Sequence, residues 1–318
     1  MSAGFIKSLP IIINLVCSFY YFFFNEQQEL DLTCISIVDQ KLPASFNNTR
    51  IVLLSDLHEN IFGTHNKDLI ELVQMQKPDY IFCTGDFLDN NPQISIELLQ
   101  KLDAYAPVYF VPGNHECKSQ LYAEFAKTLT AHNIYVFKNN CIYVKKGREK
   151  IVLAGVEDPK FKKGVATEPR APKDLSARLI GLGKDVYKLT KNTLGNLFYT
   201  DYILYKKKQL LRGEIEQALP REKEHLYTIL LSHRPEQLPL YKKYPIDLVC
   251  SGHVHGGLIR LPGLGGLVSY NEGFFPRYTE GLYQQDKTKM VVSRGLGSAG
   301  KAFRVNNNPE VVVLTLKK

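Results

Sequence analysis

Leu248-Val249-Cys250-Ser251-Gly252-His253-Val254-His255 opens as an apolar, strand-like run and closes on two imidazoles set two residues apart. Four other short apolar runs end the same way, at Asp56 and His58, at Asp86, at Asn114 and His115, and at His233. In an open α/β sheet the functional groups collect beyond the carboxyl ends of the strands. Five such endings therefore point to one polar cluster.

The segments around these runs set the architecture. The sequence predicts strands over 50–55, 80–84, 108–111 and 134–137, and helices over 67–76, 94–105 and 121–131. Strands alternating with helices of this length imply right-handed crossovers and a mainly parallel sheet. Runs 141–145 and 150–156 flank Lys146-Gly147-Arg148-Glu149, a hairpin signal, so an antiparallel element joins there. Strands resume at 227–232 and 247–251, and from Gly256 onward short strands alternate with Gly-rich turns up to a final run over 311–316. Because both halves supply ligands, we expect an α/β fold: a four-layer α/β/β/α sandwich of two packed mixed sheets with outer helices, in one domain over 45–318.

At 318 residues and 44% hydrophobic content the chain can bury a sizeable core. Its net charge of +8 is local: 160–223 holds fifteen Lys and Arg against seven Asp and Glu. A general nucleic-acid binder spreads or stripes its charge, so this distribution argues against one. The six cysteines form no CxxC pair and are no metal framework. Cys83 and Cys250 lie inside apolar runs and read as small buried hydrophobes.

Residues 9–24 are nearly all apolar and end in Phe19-Tyr20-Tyr21-Phe22-Phe23-Phe24. We read 1–30 as an amino-terminal membrane anchor, retained because no small-residue cleavage site follows. Lys7 before the segment and acidic residues after it place the catalytic part outside the cytoplasm, whereas six thiols argue for the inside. The side stays open. Residues 160–210 form a basic amphipathic insert with three readings: a packed helical insertion with a solvated lysine face, a lipid-headgroup contact, or a nucleic-acid contact. We expect it beside or over the site rather than as a separate domain.

Taken singly, each ligand pair has a bland alternative: Asp56-Leu57-His58 as a loop ion pair, Gly85-Asp86 as a turn, Gly113-Asn114-His115-Glu116 as an Asn turn. The set is what is specific. Two aspartates (Asp56, Asp86), Asn114 and four histidines (His58, His233, His253, His255) mix hard and borderline ligands. This suits two divalent ions such as Mn, Fe, Zn, Co or Ni better than calcium. Such a pair can share and deprotonate a water, orient a phosphoryl group and stabilise an in-line displacement. The chain has no GxSxG elbow and no GxxxxGK[ST] loop, so it offers no alternative nucleophile or nucleotide cradle of those kinds.

In order and identity, Asp56-x-His58, Gly85-Asp86, Gly113-Asn114-His115-Glu116, His233 and Gly252-His253-x-His255 resemble the calcineurin-like metallophosphoesterases, over roughly Arg50 to the carboxyl terminus. Ser232-His233-Arg234-Pro235-Glu236, Phe275-Pro276-Arg277-Tyr278 and Ser293-Arg294-Gly295-Leu296-Gly297 look like the membrane-associated bacterial YkuE-type branch. Relatives of that branch include the UDP-diacylglucosamine pyrophosphatases. The resemblance implies one ion held by Asp56, His58, Asp86 and His255, a second by Asp86, Asn114, His233 and His253, and Asp86 as the bridge. His115 would face the scissile phosphate and stabilise its charge or protonate the leaving oxygen.

One position departs: Asn90 stands where protein Ser/Thr phosphatases of this superfamily carry an arginine, and an amide cannot clamp a phosphate bidentately. The expected activity is hydrolysis of a phosphoester or pyrophosphate bond, with a phosphorylated, lipid-linked substrate favoured. A nucleotide or nucleic-acid phosphodiesterase is the alternative. A non-catalytic scaffold is a third reading, and the intact ligand set argues against it.

Overall fold

A computed structural model describes residues 29–161, 211–220, 226–261, 263–269, 273–298 and 304–318. The anchor read over 1–30 lies outside the described residues except for Glu29 and Leu30, as does the insert beyond Phe161. No helix among the described residues is long and apolar enough to cross a membrane.

Two six-stranded sheets carry the fold. The first has the order β1 (Asp31–Val38), β15 (Glu310–Lys317), β2 (Arg50–Leu54), β3 (Tyr80–Cys83), β4 (Val108–Phe110), β5 (Tyr135–Val136). Strands β2 to β5 are parallel and β15 runs antiparallel to β2. The second has the order β13 (Gly281–Gln285), β14 (Thr288–Val292), β9 (Leu248–Ser251), β8 (Thr228–Leu231), β7 (Glu149–Gly155), β6 (Asn140–Lys146). Its centre, β14-β9-β8-β7, is parallel, and the β6–β7 and β13–β14 hairpins are antiparallel. A small antiparallel sheet, β10 (Ile259–Leu261), β11 (Gly265–Ser269) and β12 (Gly273–Phe274), follows the His253-x-His255 loop.

The period of two along each strand produces the layers. In β2, Ile51 and Leu53 face the second sheet, while Val52 and Leu54 face helices. In β9, Leu248 and Cys250 face inward and Val249 outward, and in β15 Val312, Leu314 and Leu316 alternate with Val311 and Val313. The inter-sheet core therefore has helices on both outer faces. Lys67–Met75, Pro92–Asp103 and Tyr122–Ala131 cover the first sheet through Leu69, Val73, Leu99, Leu102, Phe125 and Leu129. Leu211, Ile215 and Ala218 from the helical stretch 211–218, with Leu238 and Tyr241, cover the second. This is the expected α/β/β/α sandwich. Cys83 and Cys250 are fully buried, and burial pushes both thiols up, as befits small hydrophobes.

One boundary moves. β1 pairs with β15 along its whole length, from Asp31↔Glu310 to Val38↔Lys317, so the domain begins upstream of residue 45. Leu32, Cys34 and Val38 on its other face are exposed, which blurs the alternation that marks a half-buried strand.

Candidate metal centre

The carboxyl ends of β2, β3 and β4 in one sheet and of β8 and β9 in the other meet at one place. Backbone bonds tie their loops together: Asp56 N donates to Gly85 O (2.9 Å), His58 N to Asp86 O (3.0 Å) and Ser232 N to Cys250 O (3.1 Å). Across the sheets, His253 N donates to Asp56 Oδ2 at 2.9 Å. Asp56, His58, Asp86, His253 and His255 all take positive φ, between 49° and 77°. For non-glycine residues such conformations cost about 1 kcal/mol or more each and persist where the surroundings over-determine them. Gly85 (φ 87°) leaves β3 so close to Gly113 that a Cβ would lie 2.5 Å from Gly113 N.

The structure brings all seven expected ligands into this region, each buried. Asp56, His58 and His255 form one cluster and Asp86, His233 and His253 another, with one ligand atom per residue and all such atoms of a cluster within 4.8 Å of one another. In the first, His255 Nε2 lies 3.6 Å from Asp56 Oδ1. Its Nδ1 donates to Gly297 O at 2.9 Å, which leaves the Nε2 lone pair facing the cluster. Burial, opposed by Asp56 and assisted by His58 and Arg304, pushes the His255 imidazole down to about 4, so it is neutral. His58 repeats the pattern, with Nδ1 against Asp89 Oδ2 at 3.1 Å and Nε2 3.8 Å from Asp86 Oδ2. Burial works against its protonation, yet the Asp89 hydrogen bond and the charges of Asp86, Asp89 and Asp56 together push it up.

Asp56 Oδ1 and His58 Nε2 are buried with no hydrogen-bond partner among the described residues. Two orphaned lone-pair atoms among nitrogen and oxygen donors are what a divalent cation would satisfy, so the residues fit a metal.

In the second cluster His233 Nδ1 donates to Thr84 O at 2.7 Å, and its Nε2 lies 3.2 Å from Asp86 Oδ2 and 2.9 Å from His253 Nδ1. Burial disfavours a charge on His233, but Asp86 outweighs it and pushes the imidazole up to about 10. The same pairing holds Asp86 well below the ordinary carboxylate range despite its burial. Asp86 Oδ1 accepts from His115 N at 2.8 Å, so Oδ2 is the oxygen facing both clusters. Asn114, at the start of the short helix Asn114–Lys118, joins this cluster through Arg234, whose Nη2 donates to Asn114 Oδ1 at 3.2 Å.

His115 sits at the edge, its side chain 25% exposed while that of His58 is fully buried. Its ring lies edge-on to His58 with centroids 4.6 Å apart, and Nδ1 bonds Asp89 Oδ1.

Three groups that matter here were not singled out as site residues in the sequence. Asp89 holds both His58 and His115, and its own turn is held by Glu59 Oε1, which accepts from the amides of Asp89, Asn90 and Asn91 at 2.8, 2.6 and 2.5 Å. Glu116, fully buried, accepts from the amides of Asp86, Phe87, Leu88 and Gly113 at 2.6–3.0 Å. Arg234 is buried against Asp158 and touches Asn114 and His253. The signal for Asp89 was its place three residues after Asp86; Glu116 and Arg234 stood inside quoted motifs but carried no local mark of their partners.

The profile of the calcineurin-like phosphoesterases matches residues 49–257. The metallophosphoesterase YkuE of Bacillus subtilis is 30% identical over 299 residues, spanning 92% of this chain and 87% of that protein. The phosphodiesterase YaeI of Escherichia coli is 25% identical over 282 residues, spanning 84% of this chain and 82% of its own. A transmembrane protein with a metallophosphoesterase domain from Bos taurus is 25% identical over 307 residues, 92% of this chain and 58% of that protein. With its sandwich fold, its strand-end ligands and these likenesses, the chain belongs to the calcineurin-like phosphoesterases and is a metal-dependent phosphohydrolase.

Proposed function

We propose that this chain hydrolyses a phosphoester or pyrophosphate bond at a two-ion centre, with Asp56, His58, Asp86 and His255 holding one ion and Asp86, Asn114, His233 and His253 the other. The observation that carries this reading is Asp86 Oδ2, which lies 3.8 Å from His58 Nε2 and 3.2 Å from His233 Nε2 and so serves both clusters. When bound, such ions supply an activated water and neutralise phosphoryl charge. The protein's own groups do the rest. His115, at the open edge with its Nδ1 donating to Asp89, is the group this reading assigns to the leaving oxygen or to the charge developing on the phosphoryl group. Glu59 and Glu116 keep the loops carrying Asp89 and Asp86 in register.

We further propose an amphiphilic, lipid-linked substrate and a membrane-associated enzyme. The apolar tract over 9–24, the interleaved charge and apolar residues over 160–210, and the membrane-protein name of the bovine relative support this. The name of YaeI favours a second reading, a phosphodiesterase of soluble diesters. The two separate in a screen of the metal-reconstituted enzyme over monoesters, nucleotide diesters and UDP-linked lipids, with and without vesicles. Vesicle-stimulated turnover of the lipid substrates supports the first reading. Equal turnover of nucleotide diesters, with no gain from vesicles, replaces it with the second.

A further inference from the structure

We propose that the small sheet β10–β12 and the start of β1 form the face that this protein lays on a phospholipid bilayer, so that the rim bearing the metal ligands lies at the lipid headgroups. This rests on the membrane-associated reading above and names the surface that makes the contact. β1 runs parallel to β15, and β15 antiparallel to β2, so β1 begins at the end of the sheet where β2 gives way to Asp56 and His58. Asp31 pairs with Glu310, two positions before Val312, which stands opposite Leu53. The apolar tract over 9–24 therefore enters the domain at the ligand rim, with only 25–30 between tract and strand.

Ion pairs tie this entry point to the small sheet. Arg294 Nη2 donates to Asp31 Oδ2 at 2.8 Å, and Arg294 Nε lies 3.4 Å from Glu280 Oε2. Glu280 also pairs with Arg260 of β10, whose Nη1 donates to Gly256 O, next to His255, at 2.8 Å. Gly257 lets the sheet sit directly on that loop, since a Cβ there would lie 2.7 Å from Gly266 Cα and 3.5 Å from Pro276 Cγ.

On this rim the small sheet leaves large apolar side chains in solvent: Leu264, Phe274 and Phe275 are 71%, 58% and 65% exposed. Ile259 and Phe274 both pair with Val268, so the three share one face of the sheet. Phe275 takes a positive φ of 53°, which costs a bulky residue about 1 kcal/mol or more. Adjacent aromatics held in water at that cost mark an interaction surface. Arg277, exposed beside them with its guanidinium 5.3 Å from the centre of the Tyr278 ring, supplies a cation for lipid phosphates. What selects a bilayer over a protein partner or a second copy is the entry of the 9–24 tract at the same rim.

The chain has no tryptophan, so Phe274→Trp in the full chain places a unique reporter on this face. Met75→Trp is the control: Met75 is 74% exposed and ends the helix that leads into the start of β3, at the opposite end of the sheet from the ligands. In vesicles of phosphatidylglycerol and phosphatidylcholine brominated near the headgroups, Phe274→Trp should lose about half of its emission and shift to shorter wavelength, whereas Met75→Trp should do neither. Both variants should turn over a soluble aryl phosphate ester at the wild-type rate. Vesicle-bound protein in which Phe274→Trp is quenched no more than Met75→Trp overturns the inference and leaves the membrane-associated reading standing. A shift of Phe274→Trp that grows with protein concentration in the absence of vesicles assigns the face to a second copy and also overturns it. A full chain that stays in the supernatant when vesicles are pelleted overturns the membrane-associated reading itself.

Discussion

Glu116 is no metal ligand in our reading, yet its replacement by glutamine should both destabilise the fold and loosen the ions. The carboxylate spends Oε2 on the amides of Asp86 and Gly113 at 2.8 Å, and Oε1 on those of Phe87 and Leu88 at 2.6 and 3.0 Å. Glutamine has one oxygen, so whichever way its amide turns, two buried N–H groups face an NH2 donor. Two lost hydrogen bonds to a charged acceptor are worth about 3–6 kcal/mol. Removing a buried charge, which burial and Asp86 already push toward protonation, offsets part of that. The net loss should be about 2–4 kcal/mol. Urea unfolding in chelator should show the midpoint falling by about 1 M with the slope unchanged. The same substitution should weaken Mn2+ binding, because the turn it anchors carries Asp86. A Glu116→Gln protein with the wild-type urea midpoint would refute the argument that four amides need a two-oxygen acceptor.

His115→Ala should retain its metal by elemental analysis yet turn over an aryl phosphate ester about 10²-fold more slowly, since it removes an acid or charge-stabilising group rather than a ligand; ion loss would move His115 into the ligand set. Gly252→Ala puts a Cβ onto Ser55 Oγ and Asp56 Oδ2 and 2.6 Å from Ser55 Cβ, so it should cost about 1–3 kcal/mol and shrink the rise in melting temperature that Mn2+ produces; an undiminished rise contradicts this. Asp158 is held below the ordinary carboxylate range because Arg234 outweighs its burial. A depressed folded-state pKa gives stability that is present above the unfolded value and lost as pH falls through the folded one. Asp158→Asn should therefore lose about 3–5 kcal/mol at neutral pH and show a shallower decline below about pH 4 in urea midpoints than wild type. Parallel declines would exclude the pair as a source of acid sensitivity.

Residue order alone dictates local features of this chain. Unbroken apolar runs along Arg50–Leu54 and Leu248–Ser251 mark strands buried on both faces, and the expected ligands follow within a few residues of each strand end, where chain direction alone aims them at one rim. That is why the gathering of Asp56, His58, Asp86, Asn114, His233, His253 and His255 in one buried region was legible before any coordinates. Tertiary structure decided the rest, because hydrogen bonds between distant segments have no periodicity to betray them. β1 is a strand because β15, nearly 280 positions away, pairs with it. Asp89 reaches His58 and His115 across two loops, and His253 meets Asp56 from 197 positions along the chain. Which nitrogen of His233 and of His255 faces its cluster is set by the acceptor behind the ring, so Thr84 O and Gly297 O settle a question that no spacing of residues could pose.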